Sequence, residues 1–85
     1  GVYIVEVLLG DKQLKGIANM GIRPTVGGES PVLEVHLLDF SDNIYGKRLT
    51  VRFLEKVRDE KKFKNLDALK EQIFKDISTA KSYFV

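Results

Sequence analysis

Three side chains that can exchange protons lie close together in the segment EVHLLDF, namely Glu34, His36 and Asp39. Alternate residues of a strand point to opposite faces, so a strand here would put Glu34 and His36 on the same face. A carboxylate oriented by an imidazole can serve as a general base. The alternative is that Glu34 faces solvent on a half-buried strand, that His36 is structural, and that Asp39 is a turn or capping group.

A second set of chemically capable residues follows in the segment VRDEKKF, where Arg58 and Lys61 lie close to Phe63. Their clustering in one short segment before the predicted helix is compatible with a ligand-binding loop. The alternative is a solvated charged segment, because Asp59 and Glu60 interrupt the cations, and this mixture of signs argues against a nucleic-acid-binding arm.

Composition excludes several classes of site. The chain has 85 residues, no Cys and one His, which excludes a disulfide framework, a thiolate metal site and a His-cluster metal site. A net charge of +2 requires no polyanionic partner. No apolar run approaches the roughly 20 residues of a membrane helix, and no signal peptide is visible. We therefore predict a cytoplasmic domain without a nucleic-acid or membrane partner.

Hydrophobic alternation predicts four strands, over residues 2–9, 14–22, 32–40 and 48–57. The segment RPTVGGESP, with two prolines, is predicted to be a connection. Gly16 and Gly21 indicate bulges or bends in the second strand.

A change of period then predicts a helix from Leu66 to about Ser82, capped by Asn65. Its apolar stripe comprises Leu66, Leu69, Ile73, Ile77, Ala80 and Phe84. The order β-β-β-β-α predicts a single domain over residues 1–85, built as an antiparallel sheet or small barrel with one terminal helix.

Taken together, the segments GVYIVEV, GIANMGIRPTVGG, LEVHLLDFSDNIYGKRLTVRFLEKVRDEKKF and LKEQIFKDI resemble the riboflavin kinase family. The resemblance is closest to the C-terminal kinase module of the bifunctional riboflavin kinase/FMN adenylyltransferases, also called FAD synthetases. It implies a mainly β fold, a small six-stranded antiparallel β-barrel with a C-terminal α-helix. It also implies transfer of the γ-phosphate of ATP to riboflavin, with Mg²⁺ accompanying ATP, and covalent linkage to an upstream adenylyltransferase domain.

The resemblance assigns roles to individual residues of this chain. Glu34 matches the catalytic carboxylate, which would accept the proton of the riboflavin 5′-hydroxyl, whereas His36 has a structural or indirect role. Three residues match positions that line the ATP site: Leu37, Asp39 and Tyr45. Three others match positions that contact the flavin nucleotide: Arg58, Lys61 and Phe63.

One element of the family pattern is expected to be missing. The family has an N-terminal segment with a Pro-Thr-Ala-Asn motif that binds the Mg²⁺–nucleotide, and Arg23-Pro24-Thr25 is a different, downstream element. The isolated chain is therefore expected to be nearly inactive. Two alternatives remain open: a truncated, inactive kinase fragment, or a non-enzymatic β-barrel that binds single-stranded nucleic acid through a basic groove with stacking aromatics.

Overall fold

The fold, taken from a computed structural model that describes residues 1–40 and 47–85, is an antiparallel sheet with a helix on one face. Its elements are β1 (Val2–Leu9), β2 (Lys12–Thr25), β3 (Gly28–Leu37), β4 (Thr50–Arg58) and α1 (Leu66–Phe84). The strand order is β3-β2-β1-β4, and every neighbouring pair is antiparallel. The mainly β class with a C-terminal helix is confirmed, although the described residues form four strands rather than six.

The connection predicted between the second and third strands is instead a continuous β-hairpin. Thr25 pairs with Gly28 across a two-residue turn, and Gly27 in that turn has a φ of 89°, which favours glycine. The residue pair that closes such a turn is hydrogen-bonded, and the following pairs alternate between non-hydrogen-bonded and hydrogen-bonded. Pro24 and Pro31 lie one and three pairs further along, in pairs that do not need a backbone N–H. The prolines are therefore compatible with the strands.

The bulges predicted at Gly16 and Gly21 are located elsewhere. Both glycines lie in uninterrupted pairs of β2, whereas the register shifts twice in the pairing of β1 with β4. Leu54 and Val57 are the residues that the shifted register leaves without a partner on β1. Since bulges bend a strand and increase its twist, they re-aim the end of β4, which carries Arg58.

The two faces of the sheet carry separate apolar clusters. On the face that the helix covers, here called the helix face, the buried cluster consists of Val2, Ile4, Ile17 and Leu38 with Ala80 of α1. On the far face, Val5, Val7 and Ala18 are buried beneath side chains from all four strands and from Leu49. Strict alternation along β1 therefore divides the hydrophobic residues of this chain between two layers.

The helix begins as predicted, but only its C-terminal half packs closely on the sheet. The side chain of Asn65 accepts a hydrogen bond from the backbone N–H of Ala68 at 2.8 Å, which satisfies one of the free donors of the first turn. Ile77 and Phe84 pack on the helix-face cluster. The prediction of one continuous buried stripe is wrong in part, since Leu66 is 62% exposed and Ile73 is 43% exposed. The N-terminal half of α1 leaves the sheet and opens a cleft.

Two isoleucines one turn apart on α1 should therefore differ in their contribution to stability. We expect Ile77→Ala to lower the free energy of unfolding by about 2–3 kcal/mol, because it leaves a cavity beside Ile4 and Ile17. Ile73→Ala should cost less than about 1 kcal/mol, since that side chain is already partly solvated. The change in helix propensity is the same at both sites, so urea denaturation of the two variants compares burial alone. Equal losses would contradict the description of α1 given above.

Candidate functional site

The register of the sheet aligns one residue from each strand in a row across the helix face. Arg58 pairs with Val2, Val2 with Asn19, and Asn19 with Glu34. Residues opposite each other in antiparallel strands point to the same face, so Arg58 and Glu34 lie at opposite ends of one row. Three interstrand steps separate their backbones by roughly 14 Å. A ligand on the helix face can therefore contact both residues.

A cleft of about 540 Å³ lies over this row, between the sheet and the N-terminal half of α1. Its volume is within the range of small-molecule sites. The sheet and the loop contribute mainly polar residues and the helix contributes apolar ones; the lining includes Asn19, Arg23, Glu34, His36, Arg58, Glu60, Lys61, Phe63, Leu69, Ile73, Asp76 and Ile77. The structure thus brings Glu34 together with all three residues predicted to bind flavin.

A buried ion pair holds the end of β4 against the helix. Arg58 Nε donates to Asp76 Oδ1 and Oδ2 at 3.1 and 3.2 Å, and Arg58 Nη2 donates to Oδ2 at 2.9 Å. The amide of Gln72 donates to Asp76 Oδ1 at 3.0 Å. The Asp76 side chain is 6% exposed and that of Arg58 21%, so solvent screens this pair weakly. The geometry is that of a bidentate Arg–carboxylate contact.

The loop between β4 and α1 places two cations around one aromatic ring. Arg58 Cζ lies 5.7 Å from the centroid of the Phe63 ring, and Lys61 Nζ lies 5.6 Å from it. Both distances permit cation–π attraction. The three residues that the sequence predicts to contact flavin are therefore one physical cluster at the rim of the cleft.

An exposed ion pair marks the start of the same loop. The hydrogen bond and charge of Lys56 lower the pKa of the Asp59 carboxyl below 3.8, and those of Asp59 raise the pKa of Lys56 above 10.5. Both groups are thus ionised across the neutral range. A lowered carboxylate pKa stabilises the fold above the unfolded pKa, and this contribution is lost as the pH falls through the folded value.

Glu34 is the partner of Arg23 at the opposite end of the cleft. The guanidinium of Arg23 donates to Glu34 Oε1, and the two side chains are 64% and 58% exposed. His36 also lines the cleft, two residues along on the same face of β3. Because water reaches both members of the Arg23–Glu34 pair, a ligand can displace Arg23 without leaving a buried charge unpaired.

Two of the three residues predicted to bind ATP, Leu37 and Asp39, are described by the structure, and neither lines the cleft. Leu37 packs in the far-face cluster, on the opposite side of the sheet from Glu34. Asp39 has a φ of 53° just after β3, as expected for an acidic residue in a turn, and it lines a separate cavity with Lys15 and Lys81. Tyr45 lies outside the described residues.

Three charged residues of the cleft were not selected from the sequence, namely Arg23, Glu60 and Asp76. Asp76 is three residues after Ile73 and four before Ala80, so it interrupts the apolar face of an amphipathic helix, and this position was the available signal. Arg23 lies in the segment predicted to be a connection, and only the extension of β2 brings it opposite β3. Its pairing with Glu34 had no signal in the local sequence.

The described residues contain no group of three His, Cys, Asp or Glu side chains that could together hold a metal ion. Along residues 1–40 and 47–85, no helix has both the length and the apolar character needed to cross a membrane.

Comparison with known proteins gives a consistent family. The family model described as "Flavokinase: Riboflavin kinase" matches residues 1–84. The chain is 53% identical over 85 residues to the bifunctional riboflavin kinase/FMN adenylyltransferase of Haemophilus influenzae, which covers 99% of this chain and 28% of that protein. The enzyme of the same name from Escherichia coli K12 is 52% identical, with 99% and 27% covered. The chain thus spans little more than a quarter of these two relatives.

Two further similarities carry different names. The RNA-binding riboflavin kinase RibR of Bacillus subtilis is 39% identical over 85 residues, covering 99% of this chain and 37% of that protein. A solved structure, named as a macrolide-efflux protein from Streptococcus pneumoniae, has a TM-score of 0.87 at 33% identity, covering 95% of this chain and 27% of that one. The high TM-score supports the sheet-and-helix fold described above.

The two ion pairs of the cleft should contribute very differently to stability. We expect Asp76→Ala to cost about 3 kcal/mol of unfolding free energy, because it leaves Arg58 partly buried without a counter-charge. Glu34→Ala should cost less than about 1 kcal/mol, because its pair with Arg23 is exposed. Both variants remove one carboxylate from the same cleft and change the net charge equally. A difference between their unfolding free energies, measured by urea denaturation, therefore reports the burial of the two ion pairs. Similar losses in the two would contradict the burial assigned to Asp76.

Proposed function

Because this chain belongs to the riboflavin kinase family, we propose that it transfers the γ-phosphate of ATP to the 5′-hydroxyl of riboflavin, forming FMN and ADP. The observation that carries the proposal is the single cleft that joins Glu34 to the cluster of Arg58, Lys61 and Phe63. Since the Haemophilus influenzae and Escherichia coli relatives are bifunctional, we also propose that the chain is the kinase module of a protein that includes an FMN adenylyltransferase domain.

The proposed flavin position follows from the chemistry of the cleft walls. Leu69, Ile73 and Ile77 provide an apolar wall on the helix side, while Phe63 provides an aromatic surface at the rim. An isoalloxazine ring can stack on such a surface. The flavin ring would cover the partly exposed side chain of Ile73. The ribityl chain would run along the row of the sheet toward Glu34.

Glu34 is the proposed general base. The 5′-oxygen of riboflavin attacks the γ-phosphorus, the bond from phosphorus to the bridging oxygen of ADP breaks, and the hydroxyl proton passes to the Glu34 carboxylate. Phosphoryl transfer depends mostly on positioning and electrostatic stabilisation, with proton removal adding a smaller factor. Arg23 holds the carboxylate at the edge of the cleft and is accessible enough to move when substrate arrives.

The proposal for ATP rests on the family resemblance of Leu37, Asp39 and Tyr45. Asp39 shares a cavity of about 470 Å³ with the cations Lys15 and Lys81, a charge pattern compatible with phosphate oxygens. Mg²⁺ is proposed to arrive bound to ATP as part of the substrate, and no described residue is assigned to it. A cytoplasmic location, and the absence of the family's Mg–ATP segment from residues 1–85, stay predictions.

Replacing the base should affect turnover rather than binding. We expect Glu34→Gln in the full-length protein to lower kcat by about 10²–10⁴-fold, because glutamine keeps the shape but cannot accept the proton. The KM for riboflavin should change by less than about threefold, since the lost interaction belongs to the transition state. The measurement is FMN formation from riboflavin and Mg-ATP.

Glu29→Gln is the matched control for this experiment. Glu29 lies on the same strand, β3, pairs with Pro24 and does not line the cleft, so its substitution should leave both constants unchanged. A kcat near the normal value in Glu34→Gln would reassign Glu34 to an ordinary solvent-facing strand residue.

Removal of the Phe63 ring should weaken riboflavin binding. We expect Phe63→Ala to raise the Kd for riboflavin about tenfold, which corresponds to loss of one aromatic stacking contact of roughly 1.4 kcal/mol. Quenching of flavin fluorescence measures the Kd. Phe74→Ala is the matched control, because Phe74 is 71% exposed and does not line the cleft. An unchanged Kd in Phe63→Ala would remove the loop from the flavin site.

The same samples distinguish the nucleic-acid alternative. A basic groove for single-stranded nucleic acid would bind oligonucleotides with an affinity that falls steeply as salt rises. Two described aromatic residues that could stack on bases, Tyr3 and Phe53, stack on each other at 5.1 Å. Oligonucleotide binding without riboflavin binding would therefore overturn the kinase proposal.

A further inference from the structure

The edge of the Arg58 guanidinium that Nε and Nη2 form is already occupied within the protein. Nε and Nη2 donate to the Asp76 carboxylate, and Nη1 donates to the backbone oxygen of Asp59 at 3.2 Å. A guanidinium recognises phosphate best by directing two parallel N–H groups at it. Asp76 takes up that bidentate edge, so Arg58 cannot offer it to a phosphate without breaking the ion pair.

The positive charge of Arg58 is also compensated. The carboxylate of Asp76 contacts the guanidinium directly and both groups are largely removed from water. A phosphate outside the pair therefore meets a cation and an anion side by side, whose fields largely cancel. One N–H on each of Nη1 and Nη2 takes no part in these contacts. The planar face of the guanidinium, whose Cζ lies 5.7 Å from the centroid of the Phe63 ring, can stack on a flat ligand.

Lys61 differs from Arg58 in both respects. It is exposed, and among the described residues no carboxylate lies within ion-pair distance of its ammonium group. It lines the same cleft and lies beside the same ring. The loop thus presents one compensated cation and one uncompensated cation to the same ligand.

We propose that Asp76 is a positioning residue that fixes Arg58 with its charge compensated, so that Arg58 contributes to the flavin ring and Lys61 to the phosphate of FMN. The inference rests on the proposed function. The resemblance placed both cations at the flavin nucleotide without dividing their roles, whereas the contacts of Arg58 favour this division. One consequence is kinetic: the loop binds riboflavin without adding a second phosphate contact that would retain the product FMN.

The test is the ratio of two dissociation constants, Kd for riboflavin over Kd for FMN, in the full-length protein. Asp76→Asn keeps the size of the side chain but removes the compensating charge from Arg58. We expect this ratio to rise roughly tenfold, because the unmasked guanidinium attracts only the phosphorylated ligand. The rise should shrink as salt is added. If the role of Asp76 were purely structural, Asp76→Asn would raise both dissociation constants by the same factor.

Three further variants complete the test. Asp67→Asn makes the same charge change in the exposed first turn of α1 and should leave the ratio unchanged. Lys61→Ala should raise the Kd for FMN roughly tenfold and leave the Kd for riboflavin unchanged. Arg58→Lys keeps the charge but removes the planar guanidinium, so it should raise the Kd for riboflavin and the Kd for FMN by the same factor. If circular dichroism shows that Asp76→Asn does not fold, Lys61→Ala decides the matter, because an unchanged FMN affinity in that variant would refute the division of roles.

The outcomes that overturn the inference differ from those that overturn the proposed function. An unchanged ratio in folded Asp76→Asn, or an equal loss of both ligands, would refute the role of Asp76. A loss confined to FMN in Arg58→Lys would refute the role of Arg58. Failure of the unmodified protein to bind riboflavin or FMN would instead overturn the proposed function, and the inference with it.

Discussion

The ion pair between Arg58 and Asp76 connects the two parts of the molecule on which the cleft depends. It joins the last residue of β4 to the middle of α1, and Gln72 supports it from the preceding turn of the helix. A buried pair of this kind adds little net stability compared with apolar packing, but it strongly disfavours arrangements in which either charge loses its partner. The position of the helix over the sheet, and therefore the width of the cleft, is defined by this contact.

Packing explains why the cleft opens at one end of the helix. Ala80 lies against Val2, Ile4 and Ile17, where the small side chain allows α1 to approach the sheet closely. Toward its N-terminus the helix meets the row that contains Glu34 and Arg58, whose polar side chains do not pack on Leu69 and Ile73. The space between this apolar wall and the polar row of the sheet is the cleft.

The two charged ends of the cleft differ in the burial of their ion pairs, and this difference suits their proposed roles. Arg58 is held by a buried carboxylate and lies beside Phe63. Glu34 is held only by an exposed ion pair with Arg23, which water screens. A base that must contact a substrate hydroxyl benefits from a partner that yields easily, whereas a stacking surface benefits from one that does not.

Local sequence was sufficient to predict the strand character of β1 and β4, the capped helix and the approximate position of Glu34, because alternation, period and capping are properties of neighbouring residues. The same information, with the resemblance, selected Arg58, Lys61 and Phe63, which the fold brings into one cleft. It failed at the β2–β3 hairpin, since prolines are excluded from a strand only where their partner needs an N–H, and the register decides that. It also missed Asp76 and Arg23, and it overestimated the burial of Ile73. Whether a helical residue faces a packed core, a buried arginine or an open cleft depends on which strand end lies opposite it, and only the tertiary structure determines that pairing.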